Sequence, residues 1–175
     1  MTKLTVKDLA LIAMFAAITA ALSQLIIPVG PIPINLATLS VFLCGGLLGA
    51  KRGGLSQLVY VLMGAAGLPV FKGFSAGPGY IAGPTGGFII GYIIAAFTVG
   101  TLIRKMPKKM WFYAAAMLAG AVCYFITGTL WYMYSTKTAL LPALSLCVYP
   151  FIPGDILKIL LAAYLVKRLI RYFGG

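Results

Sequence analysis

Apolar residues fill this chain in long runs that short polar or glycine- and proline-rich breaks separate. Six runs are long enough, or nearly so, for a bilayer core, which takes about 20 helical residues with a range of about 17 to 25. They cover residues 8–27, 35–50, 55–70, 86–103, 111–134 and 143–166. The pattern predicts an all-α integral membrane protein of six transmembrane helices, with residues 1–175 forming a single domain. The first run is too long for a signal-peptide core and has no convincing cleavage site, so it is expected to be a span. The breaks differ in character. Residues 28–34 hold three prolines and no charge, which predicts an extended turn, because proline lacks the N–H that a helix needs. Residues 51–54 (Lys-Arg-Gly-Gly) are expected to form a tight basic turn, and residues 71–85 a loop rich in Gly, Pro and aromatics.

Composition supports this reading. Of 175 residues 62% are hydrophobic and 9% charged, too apolar for a soluble core of this length. Charge then sets the topology. The chain has fourteen Lys and Arg, two acids and no His. Such an excess can mean nucleic acid, but here the cations cluster between apolar runs, so no nucleic-acid partner is expected. With the N-terminus inside, the inner segments carry Lys3, Lys7, Lys51, Arg52, Arg104, Lys105, Lys108, Lys109, Lys167, Arg168 and Arg171. The outer loops carry Lys72 and Lys137, and Lys158 lies within the last run. Cytoplasmic loops carry the basic excess, so both termini are expected in the cytoplasm, with the proline-rich and glycine-rich loops outside. No internal repeat is evident. Three cysteines without metal spacing, no His and two acids predict no metal site, and no cofactor is expected.

Three features carry candidate chemistry. The sharpest is Tyr149-Pro-Phe-Ile-Pro-Gly-Asp155-Ile-Leu-Lys158, where two prolines and a glycine interrupt the last run. A helix is expected to restart near Pro153, with Asp155 in its first turn, where the dipole favours negative charge, and Lys158 on the same face. Charges within a span are costly unless paired or facing a cavity; the pair is either a ligand anchor at the outer mouth or an ion pair that only joins helices. The second feature is the outer loop from Gly67 to Gly87, where Phe71, Phe74 and Tyr80 alternate with glycines. It is either a ligand wall or an ordinary surface loop. The third is Ala13, Ala17 and Ala21, spaced by four along the first helix. Small residues at this spacing let another backbone approach, from this chain or from a partner. The phosphate-loop pattern is absent, so energy for any transport must come from elsewhere.

These residues together resemble a known family, the biotin-binding S components of energy-coupling factor (ECF) transporters, the BioY family. The resemblance spans nearly the whole chain. It rests on Pro31-Ile-Pro-Ile34, Gly49-x-x-Gly-Gly54, Tyr60, Gly67-Leu-Pro-Val-Phe71, Gly83-Pro-Thr-Gly-Gly87, Gly128-x-x-Trp131 and Pro150-Phe-Ile-Pro-Gly-Asp155-x-x-Lys158. It implies a six-helix bundle in the prokaryotic plasma membrane that binds biotin from outside and does not hydrolyse ATP. It also implies partnership with a transmembrane coupling subunit (the T component) and two ATPase subunits. The family's ligand-site Asp and Lys fall on Asp155 and Lys158, and its docking alanines on Ala13, Ala17 and Ala21. Asn35, Thr38, Phe71, Ser75, Tyr80, Phe88, Trp131 and Tyr149 complete the expected ligand site. Ala37 stands where many members carry Gln, Ser75 where some carry Asn, and Ile89 where some carry Arg. The partner of the ligand's carboxylate is therefore left open among Lys158, Lys72 and backbone N–H groups. An S component for another vitamin is the nearest alternative. A solute channel would need polar rings along several helices, and an intramembrane enzyme a catalytic constellation that this chain lacks.

Overall fold

The computed structural model describes residues 4–27 and 34–173. The proline-rich connection at 28–33, and with it most of the Pro31–Ile34 motif, lies outside the described residues, as does Lys3. Among the described residues the regular structure is helical, apart from a two-residue antiparallel pairing of β1 (Ile26–Ile27) with β2 (Ile34–Asn35). The helices are α1 (Val6–Ser23), α2 (Ala37–Leu48), α3 (Ala50–Ala65), α4 (Pro78–Ala82), α5 (Gly86–Lys105), α6 (Met110–Thr136), α7 (Leu140–Cys147) and α8 (Ile152–Phe173). Single 3-10 turns occupy Lys72–Phe74 and Tyr149–Phe151.

Among the described residues, four helical stretches are long and apolar enough to cross a membrane: α1, α5, α6 and the stretch Leu140–Phe173 that contains α7 and α8. The 12 residues of α2 and 16 of α3 reach only about 18 and 24 Å at the α-helical rise, against a hydrocarbon core of about 30 Å.

Local chemistry explains the helix ends. Thr5 and Asp8 form a reciprocal capping box at the start of α1, and Asp8 also pairs with Arg52 at 3.1 Å. The reversal between α2 and α3 falls on Gly49 alone, at φ 81° and ψ 178°, a conformation that glycine tolerates. Residues 51–54, expected as the turn, are instead the first turn of α3. Gly53 belongs there for packing: a Cβ on it would come within 2.9 Å of the Gly45 Cα across the crossing. The expected sixth run is divided. Helix α7 ends at Cys147, the chain turns through Pro150, and α8 restarts with Pro153 in its first turn and runs to Phe173.

Helix α5 is central, packed most extensively on α6 and also on α3 and α2, while α8 closes the bundle against α2 and α6. Small residues set these distances. A Cβ on Gly91 would strike Tyr124 and Thr127 of α6, and one on Gly100 the α2–α3 junction. Membrane helices associate through such close contact because lipid supplies no hydrophobic drive between them. Helices α2, α5 and α8 run in the same sense. Their N-terminal turns surround one cavity and their C-terminal turns another.

Candidate ligand cavity and family

The first cavity is bounded by Thr38 of α2, Phe88, Ile89 and Tyr92 of α5, Tyr124 of α6, and Phe151, Asp155 and Lys158 at the head of α8. Asn35, Tyr60, Lys72, Tyr80 and Thr85 complete the wall. Its volume is about 60 Å³. A water needs about 10–15 Å³ by this measure, so there is room for several waters but not for a drug-sized molecule.

At its base lies an ion pair almost entirely shut from solvent: Asp155 is 3% exposed and Lys158 6%. The Lys158 Nζ donates to Asp155 Oδ1 at 2.9 Å and to Thr38 Oγ1 at 3.0 Å. The Tyr124 hydroxyl donates to Asp155 Oδ2. The three-residue spacing inside one helical turn brings the pair together, and Thr38 and Tyr124 reach it from α2 and α6. Removing one member of a buried pair leaves a charge without compensation, so the cluster is stable only as a whole. Three helix N-termini, each with the positive end of its dipole, converge on the same space. The Asp155 carboxylate answers that field, so the base of the cavity offers a guest both a charged acceptor, Asp155, and a charged donor, Lys158.

The outer wall comes from the segment between α3 and α5. Gly67, Gly73 and Gly77 there adopt positive φ, as does Phe74 at 57°. Gln24, at the end of α1, holds this segment: its Nε2 donates to the carbonyls of Val70 (3.1 Å) and Phe71 (2.9 Å), and its Oε1 accepts from Phe74 N (2.9 Å). The Ser23 hydroxyl also donates to Val70 O at 2.6 Å. Phe71 is fully buried, stacked on Tyr80 at 5.3 Å between centroids and edge-on to Tyr60 at 5.6 Å. Partial burial of the Lys72 ammonium in this wall holds its pKa below the usual lysine value.

Of the residues expected to contact ligand, Asn35, Thr38, Tyr80, Phe88, Asp155 and Lys158 line the cavity. Four do not. Phe71 stands behind Tyr80, and Ser75 pairs with Phe71 through the backbone. The Trp131 Nε1 donates to Gly83 O at 2.9 Å, fastening α6 to the outer segment, and Tyr149 is 59% exposed. Tyr60, Tyr92 and Tyr124 also line it, although within apolar runs they read as core. Ala13, Ala17 and Ala21 form an exposed strip along α1, whereas the neighbouring Ala16 is fully buried.

The chain matches the BioY family over residues 1–175. It is 38% identical to the probable biotin transporter BioY of Pyrococcus horikoshii over 163 residues, covering 93% of this chain and 96% of that one. It is 36% identical to the biotin transporter BioY of Thermotoga maritima over 158 residues, covering 89% and 90%. Its structure is similar to the crystal structure of the S-component for biotin from an ECF-type ABC transporter, with a TM-score of 0.89 and 30% identity over 95% of this chain and 92% of that one. An apolar helical bundle with a buried Asp–Lys pair at one end and sequence agreement along its whole length identifies this membrane protein as a member of the BioY family.

Proposed function

We propose that this chain captures biotin in the cavity above Asp155 and Lys158 and serves as the substrate-binding subunit of an ECF-type uptake transporter. The buried ion pair at the convergence of three helix N-termini carries the reading. Biotin has a ureido group with two N–H donors, an apolar bicyclic body and a carboxylate tail. Asp155 accepts from one ureido N–H, Lys158 is held by Asp155 and Thr38 to donate to the ureido oxygen, and Tyr80, Phe88 and Tyr92 enclose the rings. The tail meets Lys72. Both acids of the chain are already engaged, Asp8 with Arg52 and Asp155 with Lys158, so the ligand's own carboxylate is the counter-ion that Lys72 lacks. The present volume requires the outer segment to move outward on binding, hinged at its positive-φ glycines and restrained by Gln24.

The chain is one membrane-integral domain of six spans in the prokaryotic cell membrane, with α2 and α3 as the short pair. Both termini and the basic clusters lie in the cytoplasm and the ligand cavity faces outside. It carries no catalytic chemistry. A coupling subunit docks on the Ala13, Ala17, Ala21 strip, where small side chains let its backbone approach, and two ATPase subunits supply energy. Calorimetric titration of the detergent-purified protein tests the ligand assignment. Biotin binds tightly at one per chain, uncharged biotin amide binds more weakly, and diaminobiotin, which lacks the ureido carbonyl, does not bind measurably. Equal binding of all three refutes the assignment.

A further inference from the structure

A second cavity, of about 450 Å³, opens at the other end of the bundle, where the C-terminal turns of α2, α5 and α8 meet the start of α6. Arg52, Arg104, Lys108 and Arg171 line it. Cations at helix C-termini offset the dipoles, and the Arg104 guanidinium does lie 3.5 Å from Leu48 O at the end of α2. That function does not account for the rest of the arrangement. The whole sequence contains two acidic side chains; Asp155 is at the opposite end, and Asp8 is taken by Arg52. Arg104, Lys108 and Arg171 therefore have no side-chain carboxylate to meet, although they share one concavity. Tyr113 also lines the cavity, is only 1% exposed, and makes no side-chain hydrogen bond among the described residues, so its hydroxyl is free to donate to a guest. Behind the cations the wall is apolar, from Leu47, Ile103 and Ile170.

We propose that this cavity binds a phosphate-bearing anion, supplied in the membrane by the headgroup of an acidic phospholipid. Guanidinium groups match phosphate oxygens as planar forks, and a lysine adds a point charge. A rim of cations over apolar wall fits an amphiphile, with phosphate at the rim and the start of an acyl chain on Leu47, Ile103 and Ile170. In the topology proposed above, the cavity lies at the cytoplasmic headgroup level, where basic pockets between helices meet anionic lipid.

The test is thermal unfolding of the full chain in neutral detergent with added phosphatidylglycerol, phosphatidylcholine or inorganic phosphate. Phosphatidylglycerol raises the midpoint by about 5 °C or more near saturation, and phosphatidylcholine does not. Lys108→Gln/Arg171→Gln removes that increment while leaving Arg104 on the α2–α3 junction. Lys105→Gln/Lys167→Gln, which removes two cations of the same end from outside the cavity, keeps it. Biotin binding at the far end reports that each variant is folded; should the double variant fail there, Lys108→Gln alone must lower the increment. A rise with phosphatidylcholine equal to that with phosphatidylglycerol overturns the proposal, as does an increment that survives loss of Lys108 and Arg171 or falls equally in the control. Inorganic phosphate matching the lipid overturns the lipid assignment and makes the source a soluble phosphate.

Discussion

Replacing Asp155 by Asn removes a charge and almost no volume, so its effect isolates what the carboxylate does. In the free protein Asp155 is 3% exposed, and its carboxylate takes hydrogen bonds from Lys158 at 2.9 Å and from Tyr124. The substitution leaves the Lys158 ammonium buried without a counter-ion and turns an acceptor-only group into one that also presents an NH2. Toward biotin, the lost charged acceptor weakens binding by about 2–5 kcal/mol, roughly 30-fold to several thousand-fold in Kd. Toward folding, breaking a buried pair costs about 3–5 kcal/mol, a cost that vanishes when both charges are removed together. Asp155→Asn/Lys158→Met therefore regains thermal stability but not biotin affinity. Titration calorimetry and unfolding midpoints on both variants in the same detergent separate the two roles. An Asp155→Asn affinity within about threefold of the parent, or recovery of affinity in the double variant, refutes the argument and leaves a purely structural ion pair.

Three further outcomes follow from other parts of the fold. Ala17→Trp leaves biotin binding by the isolated subunit intact and abolishes co-purification with the coupling subunit; loss of biotin binding instead would mean that the strip packs within this chain. Gly64→Ala sets a Cβ against the buried Phe71 ring, an overpacking that costs about 1–3 kcal/mol, and lowers both the unfolding midpoint and biotin affinity through the Phe71–Tyr80 stack. Gln24→Ala removes three of the four side-chain hydrogen bonds that tie residues 70–74 to the end of α1, each with a net value of about 0.5–1.5 kcal/mol, and speeds amide exchange in that segment and biotin release together. Unchanged exchange there would show that Ser23 and the backbone suffice.

The parts of this molecule that were legible in the sequence are those fixed by local chemistry. A first-turn Asp with Lys three residues on, behind Pro153 and Gly154, must place both side chains on one face, and they meet at 2.9 Å. The alanines spaced by four could only share a face of α1, and the structure leaves that face exposed. What stayed hidden depends on contacts distant along the chain. Tyr124 reaches Asp155 across 31 residues, and no local pattern distinguishes it from the tyrosines that merely fill core. Gln24, beside the first span, showed nothing of the carbonyls it holds nearly 50 residues away. Phe71 and Trp131 read as ligand contacts because aromatics beside glycines suit a pocket, yet one buttresses Tyr80 and the other holds Gly83. The turn lies at Gly49 and not at 51–54, where Lys-Arg-Gly-Gly resembles a loop, because Gly53 and Gly54 sit in a helix that crosses another closely.

The central claim, that this chain holds biotin against Asp155 and Lys158, is tested most directly by native mass spectrometry of the protein purified in detergent from cells supplied with a mixture of vitamins. The account predicts one adduct per chain with the mass of biotin, present on the parent protein and absent from folded Asp155→Asn. An adduct of another vitamin, or a biotin adduct that persists undiminished on the Asp155→Asn variant, would contradict it.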